Sequence, residues 1–96
     1  MKDYDFESCL QDIYDCDLLI AHLRHLNGGA RYTDLATEIR ELEAKASLMR
    51  GLKHHYELKA LAETTGSTLP EYDSAGITRP IGEAVRLRFQ ELRGVA

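Results

Sequence analysis

A chain of 96 residues makes one domain at most, 1–96, and buries only a modest core, so its stability margin is small unless it pairs with itself or a partner. Hydrophobic residues make up 44% and charged residues 29%, with tryptophan absent, which suits a helix-rich globular chain and argues against disorder. The net charge of −4 disfavours a general nucleic-acid binder, which would be basic overall.

That charge is unevenly spread. Residues 1–20 hold Asp3, Asp5, Glu7, Asp12, Asp15 and Asp17 against Lys2, whereas 77–96 hold Arg79, Arg86, Arg88 and Arg93 against Glu83 and Glu91. The opening MKDYDFESC meets acids at once and has no apolar leader core, so no signal peptide is expected. No run of about 18 apolar residues exists, so no membrane span is expected either. A cytoplasmic location follows, with Cys9 and Cys16 as reduced thiols.

The first element is a helix over 6–27. Phe6, Cys9, Ile13, Cys16, Ile20 and Leu23 alternate spacings of three and four and define one apolar seam. Asp3, Asp5 and Glu7 suit a helix N-terminus, and Asn27-Gly28-Gly29 is a stop, with glycine available for a left-handed turn. A second helix is expected over 33–65, capped by Thr33 with Asp34 in its first turn and stopped by Gly66. Its stripe is Leu35, Ile39, Leu42, Ala46 and Met49, continued less cleanly by Tyr56 and Ala60. Gly51 in its middle predicts a bend, a break or a second surface contact. Residues 66–78, GSTLPEYDSAGIT, read as a long loop, a candidate partner contact through Tyr72 and Asp73. A third helix over 79–93 starts at Thr78 or Arg79, has Pro80 in its first turn and ends at Gly94, with Ile81, Val85, Phe89 and Leu92 on its apolar face. The fold class is therefore all-α, an antiparallel helical hairpin plus a C-terminal helix, coiled-coil-like or bundled through self-association.

Chemistry-bearing residues do not converge. Cys9 and Cys16 lie about 10.5 Å apart along one helix, too far for a disulfide. They read as small core hydrophobes, or less readily as a cysteine pair across a symmetric dimer. His22 and His25 point about 160–220° away from Cys9. His54, His55 and Glu57 complete the ligand-like groups, and no metal, cofactor or catalytic residue is assigned. HExxH, Cys-x-x-Cys, phosphate-cradling glycines and a nucleophile elbow are missing. Glu38 and Glu41 supply one half of an all-α nucleotide-hydrolase pattern, without its Glu-x-x-Asp partner. The expectation is a protein that is not an enzyme.

Two features point to binding. Arg79, Arg86 and Arg93, spaced by seven, form a stripe able to hold phosphates, or one that simply meets Asp12 and Asp15 of the first helix. Leu18, Leu19 and Leu26 fall outside the first seam, and Leu48, Leu52 and Leu58 outside the second. They form a candidate oligomer or partner surface. The first expectation is a small helical adaptor or inhibitor, of the size and composition seen among phage and mobile-element inhibitors, that binds protein and works as a homo-oligomer, a dimer foremost. An anion- or nucleic-acid-binding regulator using the arginine stripe is a disfavoured alternative. The other is an acidic nucleic-acid mimic built on Asp3, Asp5, Glu7, Asp12 and Asp15.

Overall fold

A computed structural model describes residues 4–28, 34–73, 77 and 80–94. Among these the chain is all-α, with α1 over Phe6–Asn27, α2 over Ala36–Thr65 and α3 over Pro80–Gly94. No helix among the described residues is long and apolar enough to cross a membrane.

Local signals account for the helix ends. The Asp5 carboxylate accepts from the Ser8 backbone N–H at 2.8 Å and caps α1. Gly28 ends α1 in right-handed geometry, and Gly29, the other glycine available for a left-handed turn, lies outside the described residues. The helix N-terminus expected at Thr33 is corrected as well: Thr33 lies outside the described residues, and α2 starts with Leu35 in the cap position. Leu35 offers no capping side chain. Its backbone N–H donates instead to Asn27 Oδ1 at 2.9 Å, so the last residue of α1 satisfies the start of α2. Gly66 closes α2 at φ 75°, the left-handed stop that glycine adopts without strain. The α3 cap expected at Thr78 or Arg79 lies outside the described residues.

The hairpin is antiparallel. Tyr56 Oη donates to the Tyr4 carbonyl at 2.6 Å, the Cys9 thiol donates to the Met49 carbonyl at 3.2 Å, and Asp17 and Arg24 pair with Arg50 and Glu43. Helix α3 then runs parallel to α1: Gly82 lies beside Asp12, Arg86 beside Asp15 and Phe89 beside His22. Helix α1 is thus covered on two sides. One seam therefore does not describe its buried face. Asp12, Asp15 and Leu19 are buried along with Cys9, Cys16, Ile20 and Leu23, while Phe6, expected in the seam, is 37% exposed.

Helix α2 passes through Gly51 without interruption, and the third of the three expectations holds there. Tyr72 of the following segment lies on Gly51, donates its hydroxyl to the Leu48 carbonyl at 2.9 Å and lays its ring on His55 with centroids 5.4 Å apart. The segment continues to Ile77, which is buried in the same core as Val85 and Leu92.

Candidate interaction surface

The leucines expected to cover a partner divide into two groups. Leu19 and Leu52 are 1% and 7% exposed and belong to the chain's own core, and Leu26 packs half-buried against it. The two neighbours of α1 account for Leu19, which lies outside the seam facing α2 and beside Val85 of α3. Leu18, Leu48 and Leu58 stay exposed. Tyr72 is half-buried and engaged on α2, so it pins its own loop, whereas Asp73 is exposed.

The arginine stripe is altered in the same way. Arg79 lies outside the described residues. Arg86 reaches Asp15 at 2.6 Å and Asp12 at 3.8 Å, both acids being buried. Arg93 lies over the Phe89 ring at 6.0 Å. The acids expected to mimic nucleic acid are similarly distributed. Asp3 is outside the described residues; of the others, Asp5 caps α1, Asp12 and Asp15 face α3, and only Glu7 is exposed.

Burial sets the chemistry of the thiols. It raises the Cys9 pKa and, helped by the charge of Asp12, pushes Cys16 up to about 11, so both stay protonated at neutral pH. The Tyr4 hydroxyl, which donates to Met49 Sδ at 3.5 Å, is likewise raised, first by burial and then by the charge of Asp12 and a hydrogen bond to it. Both cysteines are free and buried, the arrangement expected of small core hydrophobes. Among the described residues no group of three or more His, Cys, Asp or Glu is placed to hold a metal ion.

Among the described residues, one surface feature forms a continuous row, a ridge across the outer face of α1. Phe6, Leu10, Tyr14, Leu18 and His22 follow one another at i, i+4 spacing. Such a row winds slowly round the helix, because four residues advance about 400°. It begins on the α2 side, where Phe6 meets Tyr56 edge to face at 5.8 Å, and ends on the α3 side, where His22 lies on Phe89 at 5.9 Å. Between these aromatic pairs Leu10, Tyr14 and Leu18 are 39%, 60% and 45% exposed. Beside Leu18 the ridge borders a groove of about 650 Å³ between α1 and α3, walled by Ala21, His22 and Phe89 and edged by Arg86 and Arg93. A second groove, between α2 and α3, has Leu19, Leu42 and Val85 at its floor. Its lips are Glu38, Glu41, Lys45, Arg88 and Glu91, and the Arg88–Glu38 pair at 2.8 Å bridges it. Those lips favour solvent. The ridge favours an apolar neighbour.

The sequence contains this ridge in plain view. Assigning Phe6 to the core seam breaks the row and hides it. No protein-family model, curated protein or solved structure matches the chain.

Proposed function

We propose that the chain is a small non-enzymatic helical protein that acts by binding protein, as an adaptor or an inhibitor, in the cytoplasm, and that it works as a homo-oligomer. The ridge from Phe6 to His22 supports this reading. Exposed apolar side chains scattered singly are ordinary on a monomer, but here three large ones stand in one row between aromatic pairs. The row is also the repeat that helices use when they pack on one another. No comparable observation favours the alternatives, since Arg86 is held by Asp15 and the acids at 12 and 15 are buried.

The test compares the wild-type chain with Leu18→Glu in chemical crosslinking at micromolar concentration and in capture of proteins from lysate. Specific complexes lost in the variant support the reading. Complexes formed equally by both remove the ridge from the binding surface.

A further inference from the structure

We propose that the ridge on α1 docks against the same ridge of a second copy of this chain, with the two α1 helices antiparallel about a twofold axis near Tyr14. This rests on the protein-binding reading above and names the occupant of its surface. A twofold interface must be self-complementary, with residue i meeting j and j meeting i. Residues 6, 10, 14, 18 and 22 are symmetric about 14. An antiparallel twofold there sets Tyr14 against Tyr14 and Leu10 against Leu18 of the second copy, while Phe6 and His22, turned aside onto Tyr56 and Phe89, flank the contact. Rows at i±4 are the ones that interdigitate in the commonest helix packing. The groove beside Leu18, walled by Ala21 and Phe89, is then where the second copy's Leu10 arrives.

Charge fixes the direction. The outer face of α1 is acidic in its first turn, through Glu7, and basic in its last, through His25, with Arg93 of α3 at the same end. An antiparallel pair brings the acidic end of each helix to the basic end of the other and opposes the helix dipoles favourably. A parallel pair would set like against like at both ends.

The experiment uses the full chain. Light scattering across a concentration series is expected to give twice the chain mass for wild type and the single-chain mass for Tyr14→Glu, with helix content by circular dichroism unchanged because Tyr14 is the most exposed of the ridge residues. Orientation is read by disulfide trapping, since a bridge needs Cα atoms within about 7 Å. A mixture of the Leu10→Cys and Leu18→Cys variants is expected to give a covalent mixed dimer under mild oxidation, while each variant alone gives none. Covalent homodimers from each variant alone, with no mixed disulfide in the mixture, would establish a parallel pair and overturn the proposal. A wild-type monomer at all concentrations also overturns it. If that monomer still loses its lysate complexes on Leu18→Glu, self-docking and the homo-oligomer part of the reading fail while binding to another protein through the ridge survives.

Discussion

Gly82 of α3 stands directly on the carboxylate of Asp12 in α1. A Cβ at position 82 would lie 1.8 Å from Asp12 Oδ1 and 2.5 Å from its Cγ. Asp12 is 4% exposed and has little room to turn away, so a methyl group there pushes α3 off α1. Gly82→Ala is expected to destabilise the fold by about 2–3 kcal/mol, the upper part of the range for overpacking, despite the helix propensity gained. Urea denaturation of Gly82→Ala, Asp12→Ala and the double variant checks this. The double variant should be more stable than the sum of the two singles, because Asp12→Ala vacates the space. Additive losses would mean that the two residues do not collide.

Arg86 holds the same junction by charge. It pairs with Asp15 at 2.6 Å beneath a side chain 48% exposed, and lies 3.8 Å from Asp12. Removing the cation leaves two buried carboxylates close together, which costs more than a surface pair. Arg86→Ala is expected to lower stability by about 2 kcal/mol, and Arg86→Lys by less, since a point charge replaces part of the interaction but not the guanidinium geometry. An unchanged melting temperature in Arg86→Ala would return this arginine to the solvent-facing stripe.

How far the sequence reveals this molecule follows from these two contacts. Periodicity and punctuation place the helices, because the 3.6-residue repeat, Pro80, and Gly66 act locally. They do not reveal that α3 lies along α1, and that is a tertiary fact. It buries Asp12, Asp15 and Leu19, converts Arg86 from a surface charge to a partner of Asp15, and turns Gly82 into a contact point. One seam on α1 misassigns Phe6 and Leu19 for the same reason. Gly51 signals an irregularity, but only the position of Tyr72 shows that the helix stays whole and the loop comes to it.

The contact at Gly51 makes its own expectation. Alanine in a helix interior is favoured over glycine by about 1 kcal/mol, but a Cβ at 51 would lie 2.7 Å from the Tyr72 hydroxyl. In the wild type, Gly51→Ala displaces that hydroxyl from the Leu48 carbonyl, and the two effects offset. In a Tyr72→Phe background the clash is gone, the next ring atom being 3.4 Å away, and Gly51→Ala should then stabilise by about 1 kcal/mol. Thermal denaturation of the four chains reads the difference. The same shift in both backgrounds would show that Tyr72 is not seated there.

Alkali should weaken the fold through its buried thiols. Burial raises Cys16 from 9.0 to about 11, and Cys9 and Tyr4 move in the same direction. For a raised pKa the stabilisation is fully present below the unfolded value and is lost as pH rises through the folded one, because the unfolded chain releases its proton first. Stability should therefore be flat near pH 7–8 and fall between about pH 9 and 11, by about 2–3 kcal/mol from Cys16. Chemical denaturation at pH 8 and pH 10.5 measures the fall. Cys16→Ala, less stable throughout, should show a shallower slope, and an identical slope would remove Cys16 as its source.

Leu18 and Leu19 are neighbours with opposite surroundings, 45% and 1% exposed. Leu19 lies between α1 and the other two helices, so Leu19→Ala removes buried methyl groups and should cost about 2–5 kcal/mol. Leu19→Glu should abolish cooperative folding, since it also buries a charge with no partner built for it. Leu18→Ala should change the stability of the isolated fold by no more than about 0.5 kcal/mol, as at an ordinary surface position. What Leu18 contributes should appear instead as concentration dependence. If the ridge is covered by a second chain, the wild-type melting temperature rises with protein concentration, and that rise is missing in Leu18→Glu. Measuring both chains from about 1 to 100 times a low starting concentration spans about 2.7 kcal/mol of mass action, enough to separate them. Equal melting temperatures in wild type and Leu18→Glu across that series would leave Leu18 an ordinary surface leucine.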